Sequence, residues 1–205
     1  MSLKHLFITG VNRSGHTSLV QLLNNDPQIE IWDEYPHILP WHWKYSNRAK
    51  ELKDDFLNTF TVNMPSSYKG YKFIGGAASY YLKAIPFIKQ YIPEAKIAII
   101  KRNRQEVIDA FLDKLNIDER HTESIITSKF LSTLDPNATN WETAYPKYQS
   151  IEGVNRIDLF EELVGSYWDE FYGTAHRYTE QYKNVVIFNS KELLEGENYK
   201  KLIEE

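Results

Sequence analysis

The chain has 205 residues, 42% of them hydrophobic and 25% charged, with a net charge of −4, five Trp, fourteen Tyr and no cysteine. That length suits one domain with a substantial core, and the lack of cysteine excludes disulfides and thiolate metal sites. Net negative charge gives no general pull toward nucleic acid or anionic membrane, no apolar run approaches the roughly 18–20 residues of a membrane helix, and no signal-peptide pattern precedes the first strand, so a cytoplasmic location is the expectation.

In chain order, apolar residues over about 3–9 predict a first strand. Residues 15–25 predict a helix that stops at Asp26-Pro27. A short strand follows at about 28–32, and then a stretch rich in Trp, Pro and His from Trp32 to Tyr45. Residues 46–62 read as a helix with Leu52, Phe56, Leu57 and Phe60 on one face. Tyr71 to Ile74 suggest a brief strand, broken by Gly75-Gly76 ahead of a helix over 78–91. The run Ile97-Ala98-Ile99-Ile100 predicts a fully buried strand, and Gln105 to Leu115 a helix. Residues 118–150 are polar and read as helical in pieces. From Asn155 to Tyr182 apolar residues recur at helical spacing, which predicts one long helix. Val185 to Phe188 give a last buried strand before a short charged helix. This alternation predicts an α/β three-layer sandwich around a central parallel sheet, in a single domain over 1–205.

Between the first strand and the first helix lies Gly10-Val11-Asn12-Arg13-Ser14-Gly15-His16-Thr17-Ser18. The spacing G-x-x-x-x-G-x-[ST] is that of a P-loop, with His16 where the lysine normally stands. Backbone N–H groups of such a loop, together with the helix N-terminus, point at an anion. Arg13 within it is placed to hold a phosphate by paired bonds. Thr17 either caps the helix or donates to the anion, and His16 has the same two options. Arg102, at the end of the most apolar strand, either pairs with a phosphate or with a neighbouring carboxylate. The histidines form no ligand pattern, so no metal is expected.

With three further segments, the chain resembles the sulfotransferase family. Gly10 to Leu19 are similar to that family's loop G-x-P-R-S-G-T-[TS]-x-L, with Asn12 in place of the proline. Asp26-Pro27-Gln28-Ile29 followed by Asp33-Glu34 is similar to its "HP-x-[IV] … E" segment. Ile92 to Val107 are similar to "fPdAKiI-x-ivRdPrdv", and Phe188 to Leu194 more weakly to "vryEdLl". The resemblance implies a P-loop nucleoside triphosphate hydrolase-like fold and transfer of a sulfuryl group from 3′-phosphoadenylyl sulfate to a small-molecule, glycan or peptide acceptor, without a metal. It implies that Gly10, Asn12, Arg13, Ser14, Gly15, His16, Thr17 and Ser18 bind the donor's 5′-phosphosulfate and Arg102 its 3′-phosphate. Ala110 stands where the family commonly places a serine on that phosphate.

Two acceptor-side bases are in view, Glu34 by the resemblance and His37 three residues on, for a hydroxyl or amine proton. Tyr71-Lys72-Phe73 falls where many members of the family carry a catalytic lysine or its equivalent. Lys72 is expected at the C-terminal end of its strand beside Gly75-Gly76, where ligands of open α/β sheets gather, and there it either stabilises the departing oxygen, as the resemblance implies, or is a surface lysine. Trp32, Tyr35, Trp41, Trp43 and Tyr45 either wall an acceptor pocket or bury one another. The alternatives are a P-loop kinase for a small metabolite, which would need Mg²⁺ and normally a loop lysine, and a sulfotransferase-like fold kept as a nucleotide- or partner-binding module.

Overall fold

A computed structural model describes residues 3–34, 49–68, 70–115 and 156–203. Five strands, β1 (Lys4–Thr9), β2 (Ile29–Asp33), β3 (Phe73–Ala77), β4 (Lys96–Lys101) and β5 (Val185–Asn189), form one sheet in the order β2-β3-β1-β4-β5. Every pairing is parallel. The helices are α1 (His16–Leu23), α2 (Ala49–Asn58), α3 (Met64–Ser67), α4 (Tyr81–Tyr91), α5 (Arg104–Leu115), α6 (Arg156–Gln181) and α7 (Ser190–Leu194). A π-helical turn at Thr59–Asn63 joins α2 to α3, and a 3₁₀ turn covers Asn198–Leu202.

Both faces of the sheet are covered, as an all-parallel sheet requires. Successive residues of β1 point to opposite faces, so Leu6 and Ile8 join one core while Phe7 enters the other. The first core includes Leu19, Val20 and Leu23 of α1 with Leu193 and Leu202. The second is richer in rings: Phe7 is ringed by Phe56, Phe60 and Tyr81 at 4.8–6.1 Å. Tyr167, Phe171 and Tyr172 of α6 lie fully buried in the same layer. This is the expected three-layer sandwich with its central parallel sheet.

One strand differs from expectation, and the difference moves a residue of interest. Gly75 and Gly76 do not break β3 but form its centre, paired to Leu6 and Phe7 of β1 and to Ile31 and Trp32 of β2. A Cβ on Gly75 would lie 1.7 Å from the Leu6 carbonyl oxygen, and one on Gly76 would lie 2.4 Å from the Tyr81 hydroxyl. The two glycines are therefore sites of close approach. The strand runs to Ala77, and Lys72 precedes it.

Candidate active site

The C-terminal ends of β1, β2, β3 and β4 meet around the loop between β1 and α1. Arg13 and Gly15 both have left-handed φ, 71° and 97°, on either side of Ser14. The Ser14 amide donates to the Val11 carbonyl at 3.0 Å, closing a tight turn. Gly10 must be small: a Cβ there would lie 2.4 Å from Ser14 Oγ and 2.6 Å from the Ile100 carbonyl oxygen. Alternating backbone handedness turns successive N–H groups to one side, a concavity suited to an anion. Helix α1 begins at His16 with Gly15 as its N-cap. No side chain caps it and its first turn holds no acidic residue, so its leading amides and positive dipole end are not offset by its own side chains. Thr17 and Ser18 are exposed on that turn, and neither Thr17 nor His16 caps it.

Two side chains of the loop are buried without a hydrogen-bond partner among the described residues. These are Ser14, through Oγ, and His16, through both ring nitrogens. Ser14 is 0% and His16 5% exposed. Orphaned buried polar atoms are costly, about 1–3 kcal/mol each, unless something fills the place. His16 Nε2 lies 3.9 Å from Asp33 Oδ1 and 3.8 Å from Glu34 Oε1, close enough for charge attraction and too far for a hydrogen bond. Glu34, just after β2 and also left-handed at φ 51°, donates its amide to the Ala77 carbonyl at 2.7 Å. Tyr80, just after β3, has its hydroxyl pushed up by burial and then by the charges of Glu34 and Asp33. A neutral phenol thus stands beside the two carboxylates.

The loop is braced from β4 and α6. Arg102 donates from Nη1 to the Arg13 carbonyl at 3.1 Å and from Nε to Glu106 Oε2 at 3.0 Å. The Trp168 indole donates to the Arg102 carbonyl at 2.9 Å, and the Asn12 amide donates to the Tyr167 hydroxyl at 3.3 Å. The Tyr172 hydroxyl donates to Ile100 at 2.6 Å. Of the two options for Arg102, the structure displays the carboxylate pair, along with a grip on the loop backbone. Ala110, half-buried on α5, brings no polar side-chain atom.

Residues 5–161 match the model of the sulfotransferase family. The chain belongs to the sulfotransferase family. No curated protein matches this family member significantly. Among solved structures it is similar to a shikimate kinase from Bacteroides thetaiotaomicron (10% identity, TM-score 0.40, covering 98% of this chain and 95% of that one). It is also similar to a shikimate kinase from Acinetobacter baumannii in complex with shikimate (13%, 0.37, 88% and 95%). A third is an uncharacterized protein from Eubacterium ventriosum (13%, 0.38, 82% and 99%).

For this sulfotransferase-family chain the structure gathers Gly10, Asn12, Arg13, Ser14, Gly15, His16, Arg102 and Glu34 around one end of the sheet. Lys72 is a correction. β3 begins at Phe73 and continues through both glycines to Ala77, so Lys72 lies before its first residue, with its carbonyl accepting from Lys4 and its amide donating to Gln28. It sits at the N-terminal edge of the sheet, a strand length of about 16 Å from the loop. The expected place at the C-terminal end of the strand is therefore not where the structure puts it. His37, Tyr35, Trp41, Trp43 and Tyr45 lie outside the described residues. Trp32 packs edge-on against Tyr68 at 6.2 Å and donates its indole N–H to Glu30 at 3.0 Å. Sequence reasoning missed Asp33, Tyr80, Tyr167 and Trp168 as neighbours of the loop. Asp33 stood beside Glu34 in the quoted motif, whereas Tyr167 and Trp168 were hidden in the helical periodicity of α6.

Among the described residues no group of three or more His, Asp or Glu side chains is arranged to hold a metal ion. No described helix is long and apolar enough to cross a membrane.

Proposed function

We propose that this chain transfers a sulfuryl group from 3′-phosphoadenylyl sulfate to a hydroxyl or amine of an acceptor. The observation that carries the reading is the pair of buried, unpartnered side chains Ser14 and His16 at an uncapped helix N-terminus, inside the segment that matches the family. These groups fit the phosphosulfate end of such a donor: loop amides and Ser14 Oγ–H as hydrogen-bond donors, with Arg13 as a fixed positive charge. The donor supplies an activated sulfuryl group on a phosphate leaving group. Charge developing on that phosphate is stabilised by preorganised donors. We assign receipt of the acceptor's proton to Glu34, whose side chain is 52% exposed. Arg102 acts on the loop's shape through the Arg13 carbonyl and adds positive charge beside it.

The 3′-phosphate is less well provided for, since Arg102 already pairs with Glu106 and Ala110 lacks a hydroxyl. Calorimetric titration with adenosine 3′,5′-bisphosphate, beside ADP and ATP with and without Mg²⁺, tests the reading. Metal-independent binding of the bisphosphate, at least about tenfold tighter than ADP (about 1.4 kcal/mol), supports it. Preference for ATP with Mg²⁺ would favour the metabolite kinase. Binding of none would leave a fold retained for another partner.

A further inference from the structure

With Lys72 at the far edge of the sheet, the departing oxygen needs another cation, and the loop itself contains a candidate. His16 occupies the position at which a P-loop lysine reaches the terminal phosphates. Its ring is 5% exposed, and neither nitrogen has a hydrogen-bond partner among the described residues. Two carboxylates stand 3.8 and 3.9 Å from Nε2. We propose that His16 works as an imidazolium, taking the place of the loop lysine as the cation on the bridging oxygen, with Asp33 and Glu34 keeping its proton in place. This rests on the sulfotransferase reading and assigns a catalytic residue within it.

A buried imidazolium facing an anion on one side and carboxylates on the other is balanced in charge, whereas either carboxylate beside a bound phosphosulfate would be repelled without it. The ionisable groups beside the ring are Asp33 and Glu34 at the end of β2, and Tyr80, from the turn after β3, interacts with the same two carboxylates. In the transfer, the acceptor oxygen or nitrogen bonds to sulfur as the bond from sulfur to the bridging oxygen breaks. That electron pair passes to the phosphate oxygen, where the imidazolium N–H hydrogen-bonds it, and the acceptor's proton passes to Glu34. Asp33 is a positioning residue, acting only through His16.

The test uses the whole chain labelled with ¹⁵N-histidine and adenosine 3′,5′-bisphosphate as probe. Ring ¹⁵N shifts are read at pH 7.5, and the His16 signal is identified by its loss in His16→Gln. An imidazolium pattern in the complex is expected, and a neutral ring there overturns the proposal, even where donor cleavage with water is too slow to follow. In parallel, release of bisphosphate from 3′-phosphoadenylyl sulfate is followed with water as acceptor. His16→Gln is expected to lower turnover about 100-fold while KM stays within about threefold. His16→Lys, which keeps a cation at this position, is expected to restore most of the turnover. Unchanged turnover in His16→Gln with bisphosphate binding intact overturns the role of His16 alone. Failure of the wild type to bind bisphosphate overturns the sulfotransferase reading and this role with it.

Discussion

Arg13 holds φ 71°, a backbone state that costs a non-glycine residue about 1–2 kcal/mol. An arginine held in this state stores local strain, the kind of outlier from which a functional position is inferred. Arg13→Gly is accordingly expected to raise the stability read by denaturant titration by up to about 1 kcal/mol while weakening bisphosphate binding at least about tenfold. A variant that loses stability, or binds as before, would contradict the role given to this side chain. Lys72 offers the opposite test. Its distance from the loop predicts that Lys72→Ala leaves donor binding and turnover within about twofold and stability within about 0.5 kcal/mol. Arg102 lies between these cases, since its guanidinium shapes the loop by gripping the Arg13 carbonyl. Arg102→Lys should therefore behave much like Arg102→Ala in binding assays, because an ammonium cannot hold that carbonyl and Glu106 in the same fork.

At the scale of elements, most of the fold was legible because its signals are local. The apolar runs of β1, β4 and β5 and the long periodicity of α6 need no tertiary information, and the structure places them within a residue or two. Strand β3 failed for a physical reason. Glycine lowers strand propensity on average, yet here the neighbouring backbone of Leu6 and the ring of Tyr81 leave no space for a side chain, and only the assembled sheet reveals that. The strand begins at Phe73 and runs on to Ala77, so Lys72 lies at the opposite end from the one expected of it. The loop was readable from spacing alone. The bracing from α6 was not, because Asn12 and Tyr167 are 155 residues apart. That bond predicts that Tyr167→Phe costs about 1 kcal/mol of stability and loosens the loop. The check is faster hydrogen exchange at the amides of residues 12–17, with strands β1 and β4 unaffected.

For the molecule as a whole, acid sensitivity should depend in part on His5, at the other end of β1 from the loop. Its Nε2 lies 2.8 Å from the Phe60 carbonyl oxygen, within the π-helical turn. Burial lowers its pKa, and the backbone bond only partly opposes that. The unfolded chain therefore binds the extra proton more readily, so this contribution is present above the unfolded value of about 6.5 and is lost as pH falls below it. Denaturant titrations at pH 7 and pH 5 should show a smaller loss for His5→Gln than for the wild type. An unchanged difference would show that the acid loss arises elsewhere.

The strand order carries a consequence for how the molecule is made. Strand β1 leaves the ribosome first, yet both its partners, β3 and β4, are synthesised much later. The brace on its loop arrives only with Tyr167. Order of synthesis is thus inverted relative to position in the sheet, and a half-made chain displays the unpaired edges of its future central strand. Its nascent form is the one that calls for chaperone protection, and the loop after β1 gains its brace only once Tyr167 has been made.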